Sequence, residues 1–173
     1  MKNLSTLLVL FFISFTLIIS CKKDGLTKAT QNGANTFSCK INGTAFQPCQ
    51  NQGLFGGPTL YGGVSVSTIA TATINAECNN PYPQRHVSIY IDNFKGTGEY
   101  NLQDTANNIC KYQEYVPDKN YLSFYTKTGK VTITKDDRTN FILSGTFEFT
   151  AANKDSLNDI VTVTSGRFDI SYK

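Results

Sequence analysis

Tryptophan is absent, histidine and methionine occur once each, and charged side chains make up only 17% of the 173 residues. Each scarcity removes a class of function. With His86 as the lone imidazole, no histidine pair can bind a metal, and no serine has a second histidine available as its base. Neither a G-x-S-x-G elbow nor a C-x-x-C pair is present. Lys plus Arg (16) exceed Asp plus Glu (13) by only three, and no Lys/Arg stripe occurs, so a nucleic-acid partner is not expected. Helix-period stripes are missing after residue 21. An enzyme, a metal site and a bound cofactor are therefore not expected.

The most apolar part of the chain is its beginning. Lys2 supplies a small positive region, and Leu4 to Ile19 is apolar except for Ser5, Thr6, Ser14 and Thr16. That run has the length of a signal-peptide core and falls short of the roughly 20 apolar residues that span a bilayer. It ends in Ile18-Ile19-Ser20-Cys21, a lipobox pattern in which the Cys21 thiol takes a diacylglycerol and cleavage leaves Cys21 first. Residues 1–20 are thus expected to be a lipoprotein signal peptide. Residues 21–35, nearly devoid of large apolar side chains, are expected to be a lipidated flexible tether. Residues 36–173 are expected to form one domain. The implied place is the extracytoplasmic side of a membrane, the outer membrane in particular, reached through the lipid.

From Phe37 onward the apolar residues alternate with a period of two. Asn42-Gly43 between Phe37–Ile41 and Thr44–Phe46 is a hairpin signal, because both residues tolerate the positive φ of a type I′ turn. It pairs Ile41 with Thr44 and Cys39 with Phe46. Val64 to Ala76 reads as two strands or one bent strand, and Val87, Ile89 and Ile91 share a face. Residues 103–120 are the least regular stretch, with one possible helical turn from Asp104 to Asn108. Near the end, Val161 and Val163 sit at odd positions but Phe168, Ile170 and Tyr172 at even ones. That parity change places a β-bulge or tight turn at Ser165-Gly166. The expected fold is all-β, an antiparallel β-sandwich or barrel of about eight to ten strands.

Apart from Cys21, four cysteines remain, Cys39, Cys49, Cys78 and Cys110. An even number outside the cytoplasm predicts two disulfides, with three pairings open and a direct Cys39–Cys49 bridge disfavoured by the hairpin register. Tyr112, Tyr115, Tyr121 and Tyr125 cluster around Pro117 and form a candidate binding loop for a protein or glycan partner, set against their use as core residues. Asp136-Asp137 is the only adjacent carboxylate pair, but Lys135 and Arg138 beside it describe a solvated turn. Asp155, Asn158 and Asp159 offer oxygen ligands without the spacing of a calcium loop.

Several short motifs carry a resemblance. They run from Lys40-Ile41-Asn42-Gly43-Thr44-Ala45-Phe46 through Gly98-Glu99-Tyr100-Asn101-Leu102 and Gly129-Lys130-Val131-Thr132-Ile133-Thr134-Lys135. They end in Ser144-Gly145-Thr146-Phe147-Glu148-Phe149 and Ser165-Gly166-Arg167-Phe168-Asp169. With the lipobox, the chain resembles the uncharacterised small lipoproteins of Bacteroidota. The resemblance implies a cell-envelope location and an all-β fold, and it brings no activity. The expected function is a membrane-anchored, non-catalytic binding or structural module. The alternative is a closed barrel carrying an apolar small molecule.

Overall fold

A computed structural model describes residues 24–49, 59–79, 84–102 and 107–173. Cys21 and the expected signal segment lie outside the described residues. The chain forms β1 (Thr36–Ile41), β2 (Thr44–Phe46), β3 (Leu60–Ser65), β4 (Thr71–Cys78), β5 (Arg85–Ile91), β6 (Gly98–Asn101), β7 (Ile109–Tyr115) and β8 (Asp118–Leu122). One helical turn, α1 (Ser123–Thr126), precedes β9 (Thr128–Asp137), β10 (Ile142–Asn153) and β11 (Ser156–Ser171). All eleven strands join one antiparallel sheet in the order β2-β1-β11-β10-β8-β7-β5-β4-β3, with β9 on β10 and β6 on β9.

The branch at β10 shapes the molecule. Ile142 to Thr150 pair with β9, whereas Ala152 and Asn153 pair with Leu122 and Tyr121 of β8. One arm of the sheet is therefore β6-β9-β10-β11-β1-β2, and the other is β8-β7-β5-β4-β3. Their inner faces share one core. Phe37, Phe46, Phe147, Phe149 and Phe168 come from the first arm, and Ile74, Val87, Ile89 and Tyr112 from the second. Each buried aromatic contributes about 2 kcal/mol through area removed from water. The expected all-β antiparallel fold is present, and the sheet does not close into a barrel; its two arms enclose one shared core.

Alternation specifies the strands residue by residue. In β4, Ala72, Ile74, Ala76 and Cys78 are buried while Thr71, Thr73, Asn75 and Glu77 face outward. Asn42 and Gly43 adopt φ of 47° and 81°, the type I′ signature, and the predicted pairs Ile41–Thr44 and Cys39–Phe46 form. The bulge also falls where the parity change placed it. Phe149 pairs with Val163 but Phe147 with Gly166, and Ser165 takes φ 54°.

Three expectations are corrected. The stretch 103–120 is not irregular after Ile109: β7 and β8 make a hairpin through Val116-Pro117, and the described residues hold eleven strands. The helical turn expected at Asp104–Asn108 lies mostly outside the described residues and is not among these corrections. Two disulfides become one. Cys49 bonds to Cys78, while Cys39 and Cys110 are buried thiols on β1 and β7, on opposite arms of the sheet. Burial pushes both thiols up, Cys39 to about 12 against the counter-pull of Arg85, so neither is a nucleophile. Closing the loop between Cys49 and Cys78 stabilises the fold by about 3 to 4 kcal/mol in the chain-entropy description.

The third correction concerns the tether. From Asp24 to Asn35 the chain is docked on the outer face of β1 and β11. The segment has Leu26 as its one large apolar side chain, yet it is held by hydrogen bonds that composition does not reveal.

Candidate functional site

The docked segment is built around Asp169, which is only 1% exposed although it points away from the core. Among the described residues no lysine or arginine pairs with its carboxylate, which is satisfied by N–H and O–H donors. Thr30 Oγ1 donates to Oδ2 at 2.7 Å, and the Asn32 and Ala34 N–H groups donate to the same oxygen at 3.0 and 3.1 Å. Gly33 N–H (2.9 Å) and Ser144 Oγ (2.7 Å) donate to Oδ1. Three successive backbone N–H groups converging on an anion form a nest. Its curvature uses Gly33 at φ 75°, where a Cβ would also come within 3.2 Å of Ile142. Burial alone pushes the carboxyl up, but the donations from Thr30, Ala34, Ser144 and Gly33 outweigh it and hold the group at about 2.

Further contacts extend the hold along the segment. Thr27 N–H donates to Ser38 Oγ at 3.0 Å, and Arg167 Nη1 donates to Thr27 O at 2.9 Å. Gln47 Nε2 donates to Gly25 O at 2.6 Å, and Ser171 N–H donates to Asn35 Oδ1 at 2.9 Å. Beside the segment lies an open groove of about 310 Å³, lined by Lys130, Thr132, Thr146, Glu148 and Arg167 among others. Ala29, Phe147 and Gly166 also line it, and Lys130 is already paired with Glu99 at 3.0 Å.

The other outer face, that of β3-β4-β5-β7, is different in kind. Tyr61 of β3 and Tyr115 of β7 are 43% and 39% exposed, and Tyr61 OH donates to Glu77 Oε1 of β4 at 3.1 Å. Burial raises the Tyr115 phenol, and the Glu77 and Asp118 carboxylates raise it further, so Glu77 is flanked by a tyrosine on either side. His86 lies directly across from Glu77 on β5, and Gln113 of β7 lies across from His86. The His86 Nε2 is 3.2 Å from Asn75 Oδ1. Burial lowers the imidazole's affinity for a proton, with Lys111 adding to the fall and Glu77 opposing it. The face thus presents two accessible aromatic rings separated by planar hydrogen-bonding groups. Ser88 of β5 lies across from Asn75 in the same outward row.

The structure divides the expected tyrosine loop. Tyr112 and Tyr121 are buried strand residues, stacked with ring centroids 5.7 Å apart. Tyr125 is exposed on α1, away from the Glu77 face, beside Phe124. Only Tyr115 joins a surface cluster, and its partner Tyr61 was not singled out in the sequence. The signal was present, since Tyr61 and Glu77 lie on strands whose outward parity follows from the alternation, but the β3–β4 register was not determined. The other candidates are structural. Asp136 pairs with Arg138, and Asp137 accepts from the Asn140 N–H at 3.0 Å. Asp159 is held by Lys119, Tyr121 and Asn153 rather than grouped with Asp155. Among the described residues, no three metal-ligating side chains come together.

No curated protein and no solved structure matches the chain. A protein-family profile does match, from the β1–β2 turn to the aspartate that holds the docked segment. The chain belongs to the family described as Domain of unknown function (DUF6252), over residues 42–169.

Proposed function

We propose that this chain is a lipid-anchored lipoprotein of the cell envelope, of the Bacteroidota type, whose domain binds a glycan without catalysing a reaction. The anchor reading rests on the lipobox ending at Cys21, and the binding reading on the outer face of β3-β4-β5-β7. The single observation that carries the latter is the placement of exposed Tyr61 and Tyr115 on either side of Glu77, with His86, Asn75 and Gln113 in adjoining rows. The buried core of a protein interface is more apolar than its rim and poor in charged residues. Here the centre is polar and the rings are separated, an arrangement suited to stacking on sugar faces while hydroxyls are hydrogen-bonded.

Two measurements test the two halves. Mass spectrometry of the native membrane-extracted product should show a chain beginning at an acylated Cys21; an unacylated product retaining Met1 refutes the anchor. Calorimetric titration against a panel of envelope and host polysaccharides should find a ligand whose affinity falls about tenfold, or about 1.4 kcal/mol, in Tyr61→Ala and in Tyr115→Ala. Thr132→Ala, on the opposite outer face, should leave that affinity unchanged. Equal weakening by all three, or no binding to any glycan, sinks the reading.

A further inference from the structure

We infer that Arg85, at the rim of the shared core, is a binding site for the carboxylate group of a small organic acid. The site is separate from the proposed glycan face. Arg85 shares its parity with the buried Val87, Ile89 and Ile91 and so belongs to the inner side of the sheet, whereas Glu77 and Tyr115 belong to the outer side. The chain has three arginines, and two are met by acceptors within the fold. Arg138 lies over the Phe94 ring at 5.3 Å and has the Asp136 carboxylate at its Nε. Arg167 donates to Thr27 O at 2.9 Å, with Asp24 Oδ2 at 3.8 Å. Arg85 repeats half of the Arg138 arrangement. Its guanidinium lies over the Phe46 ring at 5.4 Å, but among the described residues no carboxylate pairs with it and no acceptor takes its hydrogens.

The Nε–H is sealed from water without a partner, while the two Nη groups still reach solvent. Such a guanidinium is neither paired nor freely hydrated, and the edge formed by its two Nη groups is set to take an oxyanion through two parallel hydrogen bonds. The polar groups around it are engaged elsewhere. Glu114 stands across from Arg85 in the β5–β7 register, yet its carboxylate accepts the Tyr112 OH at 2.6 Å. Tyr121, stacked on Tyr112, donates to Asp159, which also holds Lys119. Phe46, Cys39 and Tyr112 are buried and uncharged; burial pushes the thiol and the phenol up, and the nearby Arg85 pulls both down. One positive charge among apolar neighbours, with a carboxylate across the strand pair, suits a monoanion better than a phosphate dianion.

The test titrates sodium acetate into the purified native protein and follows the three arginine Nε–H signals by NMR. Sodium chloride and sodium phosphate at matched ionic strength are the other arms. Acetate should shift the Arg85 signal saturably and leave those of Arg138 and Arg167 nearly still. Chloride should not, and phosphate should bind severalfold more weakly than acetate. Glu114→Gln removes a repelling charge and should tighten acetate severalfold. Arg85→Met keeps an unbranched side chain over Phe46 without the charge. Its urea midpoint without acetate should be no lower than that of the wild type, and acetate should no longer raise it. No saturable shift at Arg85, or equal shifts at all three arginines, overturns the site. Tighter binding of phosphate than of acetate overturns the carboxylate assignment. A marked loss of stability in Arg85→Met also overturns the site, since it makes Arg85 a structural cation balanced by Glu114 through solvent.

Discussion

Strand β11 carries two aspartates, ten residues apart, that solve the same problem by different means. Asp159 stands at the half-exposed end and uses a cation: Lys119 Nζ lies at 3.1 Å, with Tyr121 OH at 3.1 Å and Asn153 Nδ2 at 3.2 Å. Asp169 stands under the docked segment and uses no cation, only five N–H and O–H donors. Both carboxyls are held below their ordinary range. For Asp159 the Asn153 and Lys119 contacts lead, whereas for Asp169 donors must first overcome burial. The exposed pair is screened by water and contributes little. The buried anion has no solvent to fall back on, so its donors and the docked segment that brings them are mutually dependent.

The sharpest way to break this comparison is to remove each carboxylate in turn. Asp169→Ala leaves several buried donors unpaired and should lower unfolding free energy by about 3 kcal/mol or more in urea denaturation, with new protease cleavage at Lys28. If Asp159→Ala costs as much, the distinction fails. Acid supplies the next test. A carboxyl held at about 2 when folded, against about 4 unfolded, contributes stability that is present in full above about pH 4 and is lost as pH falls through about 2. Wild-type stability should therefore drop across that window, and the drop should be much reduced in Asp169→Asn. Smaller still is Thr30→Ala, which deletes one of five donors and should cost about 1 kcal/mol. Smallest is Asp159→Ala, for which denaturation midpoints at low and high salt should differ little from those of the wild type.

Much of the β-structure could be read directly. The Asn42-Gly43 turn, the bulge at Ser165-Gly166 and the outward parity of Thr73, Asn75 and Glu77 are local properties, set by φ preference and the two-residue period. The β7–β8 hairpin escaped because its polar outward residues and the stacked Tyr112–Tyr121 pair give only a weak alternation. The cysteines were legible as a group but not as pairs. Cys39 and Cys78 both face inward, and only the fold places Cys49 beside Cys78 rather than beside another thiol. Composition makes residues 24–35 look like a tether because Leu26 is their one large apolar side chain; what holds them is a carboxylate more than a hundred residues later.

The alternation, the turns and the bulge belong to the amino-acid order itself, because each is decided by neighbours within a few bonds. The face that is covered and the face that is left open, the burial of Asp169 without a counter-ion, and the meeting of Tyr61, Glu77 and Tyr115 are decided only when distant strands pair. Strand pairing sums over many residues at once, and no local stretch of chain carries that sum.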